Sequence, residues 1–329
     1  MVMEQKIILG HGSGGRLTQE LVRDLFCKHL GEVGPSSLDD GAVLDFPEGK
    51  LVYTTDSYVV SPLEFPGGDI GTLCVAGTVN DLAVMGAKPL WLSLGVILEA
   101  GLPFRTLEKI VQSIARTAQK AGVQIVCGDT KVVEHGKGDG IYINTSGIGV
   151  LTKPLAEDSI EPGDKILISG TIGDHGMTLL TMRKGFEVDA DLKSDCAPLN
   201  HLIEKVTSAI EVKWMRDPTR GGVATALNEL TDGNGWGILL QEADLPFSEP
   251  VRGLEELLGL DPLYSANEGK VLMVVSAADA KQALELLGGE AAVIGEVTAE
   301  HAGKLVLNTT MNTLRTLGVL TSDPLPRIC

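Results

Sequence analysis

The sequence predicts a mixed α/β fold in two domains, on three observations. Its 329 residues are about twice a typical domain of roughly 150. Apolar strand-like runs and helical-period segments occur in both halves. A stretch of prolines and charges, TKPLAEDSIEPGD over 152–164, separates the halves. At 43% hydrophobic and 22% charged the chain is globular in composition, with enough apolar material to bury cores.

Residues 16–30 put Leu17, Leu21 and Leu25, with Val22 and Phe26, at helical spacing, and Gly31 and Gly34-Pro35 end that helix. LVYTT (51–55) reads as a strand followed by Asp56, and WLSLGVILE (91–99) as a second. Over 104–121, Leu107, Ile110, Val111, Ile114 and Ala118 share one helical face. VQIVC (123–127) is a strand followed by Gly128-Asp129, and IYINTSGIGV (141–150) is another. Past the break, KILIS (165–169), VLMVV (271–275) and AAVIGEV (291–297) read as strands. Helices are expected near 174–184, 197–211, 220–231 and 277–287. TSDPLPRIC (321–329) has two prolines and no periodicity, so it reads as an extended tail.

The charge balance, 27 Lys+Arg against 44 Asp+Glu, gives −17 and argues against a general nucleic-acid or anionic-membrane surface. Anionic substrates would need a bridging metal ion. The five cysteines form no C-x-x-C, so neither a disulfide framework nor a zinc ribbon is indicated, and a reducing compartment fits. The first residues carry no secretory apolar region, and the longest apolar stretch, Leu90 to Leu98, is too short to span a bilayer. A cytoplasmic protein is expected.

Several groups of residues could carry chemistry. Asp39 and Asp40 stand in LDDGAV, Asp56 and Asp129 follow strands, and Asp81 and Asp217 are expected just before helices. Carboxylates at strand ends and helix starts can converge at one sheet edge, and hard oxygen ligands suit Mg²⁺ shared with phosphates. Single Asp residues there equally serve as turns and caps. GHGSGG (10–15), with Gly12 and Gly14, precedes the first helix and could cradle phosphate with backbone N–H groups. It formally fits G-x-G-x-x-G, but the strand and acid that a dinucleotide fold needs do not follow. In DPTRGG (217–222), Pro and Gly-Gly allow close backbone approach, and Arg220 favours phosphate. Cys329 in PRIC is a candidate nucleophile and covalent carrier on a proline-stiffened arm, or an inert residue. Lys131 and Glu268 are candidate acid/base groups, although such residues are commonly solvated surface.

LDDGAV, TTDSYVVSPLEFPGGDIG, AGTVNDLAVMGAKP, VCGDTKVV, RDPTRGGVATALNEL and NEGK run in order over 38–270, nearly the whole chain. Together they resemble the aminoimidazole ribonucleotide (AIR) synthetase superfamily of ATP-dependent enzymes, which includes selenophosphate synthetase and thiamine monophosphate kinase. HGSGG and PRIC make the chain most similar to the carbamoyl dehydratases of hydrogenase maturation. The resemblance implies an AIR synthetase-like fold whose N-terminal mixed sheet pairs across a homodimer. The implied divisions are a glycine loop and helix (1–34), an ATP/Mg²⁺-binding domain (35–155), a C-terminal α/β domain (156–312) and a flexible tail (313–329) carrying Cys329. Asp40, Asp81 and Asp217 match metal positions; Asp56, Asn80 and Asp129 match nucleotide positions, with Gly12, Gly14 and Arg220 beside them. The implied reaction is ATP-driven dehydration of a carbamoyl group on Cys329 to S-cyanide, the cyanide ligand of iron in [NiFe]-hydrogenase. The implied partners are a HypF-type carbamoyltransferase and an iron-carrying HypC–HypD complex. A base near Cys329 must take the amide protons, and Lys131 and Glu268 stand in motifs suited to it. HGSGGR contains no Cys, against the selenophosphate branch. A small-molecule kinase or ligase, or a nucleotide-switched assembly factor, are the other readings.

Overall fold

The computed structural model describes residues 5–186, 191–321, 325 and 327–329. The N-terminal half begins with α1 (Arg16–Leu21), a π-turn (Val22–Cys27) and α2 (Lys28–Leu30), one helical run over the segment expected from its spacing. There follow β1 (Leu51–Tyr58), a small hairpin of β2 (Glu64–Phe65) and β3 (Gly68–Asp69), α3 (Ile70–Val84), β4 (Ala87–Glu99), α4 (Phe104–Ala121), β5 (Gln124–Val133) and β6 (Ile141–Leu151). The four-stranded sheet has the order β1-β6-β4-β5. β6 is antiparallel to both neighbours, and β4 runs parallel to β5 because α4 carries the crossover.

Side chains alternate across a strand, so register decides which face each residue joins. Asp56, Thr145 and Leu94 lie in one row, on the face that α3 packs. Tyr53, Ile148 and Trp91 form a row on the opposite face, which is left largely open: Tyr53 is 59% and Ile97 43% exposed.

The C-terminal half contains β7 (Lys165–Ile168), α5 (Asp174–Lys184), α6 (Asn200–Thr207), β8 (Val212–Arg216), α7 (Gly222–Thr231), β9 (Gly237–Gln241), α8 (Glu249–Leu258), β10 (Leu272–Val275), α9 (Ala280–Leu287), β11 (Ala292–Thr298), β12 (Leu305–Asn308) and β13 (Leu314–Leu317). Its seven strands are ordered β13-β12-β9-β11-β7-β10-β8. Alternation gives this sheet two cores. Ile166, Ile168, Leu272 and Val274 meet Val223 and Leu227 of α7, whereas Leu167, Met273 and Val275 meet Ile203 and Val206 of α6 and Ala283 of α9. A third core unites the halves, joining α3 and α4 to Leu179, Val251, Leu325 and Ile328. No helix among the described residues is long and apolar enough to cross a membrane.

The structure corrects several expectations. Asp81 lies inside α3, not before a helix. Asp56 and Asp129 lie within β1 and β5, which run further than the apolar cores of those strands suggest. Residues 314–317, assigned to the tail, form β13 against β12. Residues 322–324 and 326 of the expected tail lie outside those described, and the end beyond them is docked, as set out below.

One ion pair is buried in the C-terminal half. Lys213 Nζ donates to Asp164 Oδ1 and Oδ2 at 2.9 and 2.8 Å and to the Ser159 carbonyl at 2.8 Å, tying β8 to the turn before β7. Removing one partner strands the other charge out of water. Lys213→Ala is therefore expected to cost about 3–5 kcal/mol, read as a lowered urea midpoint with the slope unchanged.

Candidate active site

Between the two halves lies a cavity of about 490 Å³. β1 brings Asp56 and Tyr58 to it, α3 brings Asp81, and the end of β8 brings Asp217. Arg220 enters from the turn before α7, Glu268 from the loop before β10, and Cys329 from the C-terminal segment. Residues spread from 56 to 329 thus share one wall.

The acids are crowded and largely dry. Burial, with the neighbouring Asp217 and Asp56 charges, pushes the Asp81 pKa up to about 8, although Thr54 Oγ1 donates to its Oδ2 at 2.8 Å. Burial likewise raises Asp217 to about 6, against the backbone N–H and Arg216. Glu268 is 3% exposed, and its Oε1 has no hydrogen-bond partner. Burial first, then Asp217, Asp195, Asp56 and Asp81, hold it well above the usual carboxylate range. Tyr58 Oη lies 3.3 Å from Asp56 Oδ2 and 3.2 Å from Thr78 Oγ1, and burial also raises this phenol. Mutually repelling buried carboxylates fit a bound cation, which would relieve the repulsion. Among the described residues no group of three or more His, Cys, Asp or Glu could hold a metal unaided.

The Glu268 loop is fixed by Asp195. Its Oδ1 accepts the Glu268 N–H at 3.0 Å, and its Oδ2 accepts from Asn267 Nδ2 at 3.0 Å and from the Gly269 N–H at 3.3 Å. Position 269 must be glycine here, because a Cβ would lie 1.8 Å from the Asp195 carbonyl oxygen. Asn80 is consumed by the same framework. Nδ2 donates to the carbonyls of Ala197 and Glu268 at 3.1 and 3.3 Å, and Oδ1 accepts the Leu199 N–H at 2.8 Å.

Cys329 is held by an extended-chain contact in which the Val59 N–H donates to its carbonyl oxygen at 3.0 Å. Arg327 pairs with Asp139 at 2.6 Å and donates to the Val59 carbonyl at 3.1 Å. Arg183 donates to the carbonyls of Ser61 and Arg327. Ile328 is fully buried in the core shared by the halves.

Other predicted residues lie elsewhere in the chain. Asp40 is on an exposed irregular segment and does not line the cavity. Asp129 and Lys131 form an ion pair on the open face of the N-terminal sheet, in the rows of Gly95 and Ile97. Asp129 also borders a cavity of about 190 Å³ between β5 and the first helical run, with Phe26 and Leu94. Gly12 packs on β5, where a Cβ would lie 2.4 Å from the Val132 nitrogen, and Gly14 is exposed at φ +82°.

Two family models match the chain: the N-terminal domain of AIR synthase related proteins over residues 38–151 and the C-terminal domain over 161–308. A carbamoyl dehydratase HypE from Azotobacter vinelandii is 47% identical over 327 residues, covering 97% of this chain and 96% of that protein. The Escherichia coli K12 carbamoyl dehydratase HypE is 44% identical over 98% of this chain and 99% of its own length. The chain belongs to the HypE carbamoyl dehydratase family. A crystal structure of a HypE in complex with ATP superposes with TM-score 0.93 at 45% identity, covering 98% of this chain and 99% of that one. A HypE–HypF complex gives 0.79 at 44% identity over 93% of this chain and 100% of that one. An Aquifex aeolicus thiamine monophosphate kinase, at 19% identity and TM-score 0.62 over 89% of this chain and 98% of its own, shares the fold.

Within this HypE-family site, sequence reasoning missed Asp195 and Tyr58. Tyr58 stands two residues after Asp56 on β1, a spacing that puts both on one face of the strand. Asp195 carries no local signal, since its partners are more than 70 residues away.

Proposed function

We propose that this chain dehydrates a carbamoyl group carried as a thioester-like carboxamide on Cys329, using ATP, to give S-cyanide. The observation that carries it is that Cys329 shares one cavity with Asp81, Asp217, Arg220 and the unpartnered Glu268. The carboxamide oxygen takes the γ-phosphoryl group of ATP and leaves as phosphate when the two N–H protons are lost. Oxygen thus departs on a good leaving group, and the C≡N bond forms without a redox change. Glu268, which lines the same cavity as Cys329, would take those protons. Arg220 and the N–H groups opening α7 suit a phosphate. Asp81 and Asp217 would hold Mg²⁺, which neutralises phosphoryl charge when bound; Asp40, the third position the resemblance implies, would have to be brought there from its exposed segment.

The wider assignments follow. The solved HypE–HypF complex supports a HypF-type carbamoyltransferase as donor of the carbamoyl group. A HypC–HypD iron complex would receive the cyanide in the cytoplasm. The exposed face of the N-terminal sheet, with Leu51, Tyr53 and Ile97, suits pairing with a second copy. Asp129 and Lys131 would then act at that interface.

The test is mass spectrometry of the 305–329 peptide, released by cleavage after Lys304. Gain of one carbamoyl group on Cys329, followed by ATP-dependent loss of one water, is expected. ATP consumption with Cys329 unmodified would overturn the proposal in favour of a small-molecule substrate.

The raised acids also predict a pH signature. In the empty site Asp81 keeps its proton below about pH 8. A cation must displace that proton, so Mg²⁺ affinity should rise about tenfold per pH unit from 6 towards 8 and then level off. Calorimetry in buffers of different ionisation enthalpy should show about one proton released at pH 7.

A further inference from the structure

We infer that His175 is the positioning residue that holds the carrier in the cavity, acting through the carbonyl of Ile328. The inference rests on the reading of Cys329 as the reacting group and adds how its dwell time there is set.

His175 belongs to α5 and is fully buried. Its Nε2 lies 2.7 Å from the Ile328 carbonyl oxygen, one residue before Cys329, and its Nδ1 lies 2.7 Å from Ser194 Oγ. A carbonyl oxygen can only accept, so Nε2 carries the proton and Nδ1 is the acceptor. Ser194 completes the polarity, because its Oγ accepts the Cys196 N–H at 3.1 Å and so turns its own proton to Nδ1. The Ser194 N–H is anchored on the Pro66 carbonyl at 2.9 Å, and the Phe65 ring stands edge-on to the imidazole at 5.5 Å. The relay therefore runs one way, from backbone amide through serine and neutral imidazole to the tail, and every member is satisfied. Burial also lowers the imidazole pKa, which favours the neutral form that the relay requires.

The tail's other anchors differ in kind. Arg327 and Asp139 are partly exposed, and such pairs contribute little. His175 is a buried donor to a buried carbonyl. When the tail leaves, the imidazole N–H loses the partner it has in the docked state. The carrier must leave the cavity to be loaded by a separate protein and return to be dehydrated. Added to the buried Ile328 side chain and the Val59 contact, this tautomer-fixed hydrogen bond tips the balance towards the docked state by an amount small enough to be reversed.

The experiment is the rate at which iodoacetamide alkylates Cys329 in the nucleotide-free full chain, read on the 305–329 peptide. His175→Phe keeps the ring against Phe65 but cannot donate, and alkylation should quicken about tenfold, the loss of one buried hydrogen bond. His175→Gln can place an N–H near the Nε2 position and should restore a rate within about threefold of the unaltered chain. Should H175F fail to fold, Ser194→Ala carries the same test, since it frees the tautomer, and faster alkylation is again expected. Unchanged alkylation in H175F, or in S194A where H175F does not fold, overturns the inference, as does H175Q reacting as fast as H175F. If the rates follow the expected order while Cys329 never gains a carbamoyl group or loses water, the latch stands and the dehydratase reading falls.

Discussion

Cys329→Ala is expected to abolish carbamoyl dehydration altogether. With the thiol gone there is no atom to carry the carbon. The 305–329 peptide should show neither the carbamoyl gain nor the water loss. The fold should be little changed, because the Val59 and His175 contacts are made to backbone carbonyls and Ile328 remains buried. Cys329→Ser sharpens the point. A serine oxygen could accept a carbamoyl group, but the product would be bound through an alkoxide-type leaving group. A thiolate, whose parent thiol has a pKa of about 8.5, leaves far more readily than an alkoxide, whose parent alcohol is a far weaker acid. Delivery of cyanide to a metal should therefore fail in C329S even if loading occurs. Phosphate release with unmodified Cys329 in the parent chain would count against the whole scheme.

Glu268→Gln should separate activity from stability. Burial first, then four surrounding carboxylates, raise its pKa well above the usual carboxylate range and so favour the neutral acid. Glutamine is neutral and nearly the same shape, so the native packing should hold. The sign of the linkage can be worked out. A carboxyl whose folded pKa is raised contributes nothing to stability below its unfolded value. It then destabilises progressively as pH rises from about 4.3 towards the folded pKa. E268Q removes that cost, so the variant should be as stable as the parent at about pH 3.5 and increasingly more stable from pH 5 to pH 8. Its single-turnover water loss should fall about 10²- to 10⁴-fold, the usual contribution of a positioned base. In the parent, the same rate should climb with pH through the range where Glu268 ionises, and that limb should vanish in E268Q. A variant that is slow and also less stable would mark Glu268 as a structural residue.

Much of this arrangement is legible in the sequence, for identifiable reasons. The helix over 104–121 has polar and apolar faces, so its period shows. The carboxylates at 56, 81 and 217, with Glu268 and Cys329, stand in distinctive local motifs, and the fold gathers them into one cavity. The helix Ile70–Val84 is hidden because it is buried on nearly every side and has no polar face to mark its period. β8 is hidden for a related reason, since four of its five residues are buried and no alternation survives. Asn80 looks like a ligand in its motif, yet its partners are 117 to 188 residues away in sequence, beyond any local pattern. His175 and Asp195 likewise depend on distant partners, at Ile328 and in the Asn267–Gly269 loop. Lys131 and Glu268 are equally plausible on sequence; strand register sets Lys131 on the open face, while the loop held by Asp195 carries Glu268 to the cavity.

That register has a consequence for β1. Asp56 and Tyr58 point towards the carrier cavity, while Tyr53 and Thr55 point to the open face and Ser57 stands at the cavity's edge. The strand is thus a partition one side chain thick. If the open face pairs with a second copy, as proposed, a substitution scan along Leu51–Asp56 would return two interleaved phenotypes, defects in turnover at even positions and defects in self-association at odd ones. Drift of a single residue in pairing with β6 would exchange the two sets, so strand pairing itself keeps the cavity face and the open face apart.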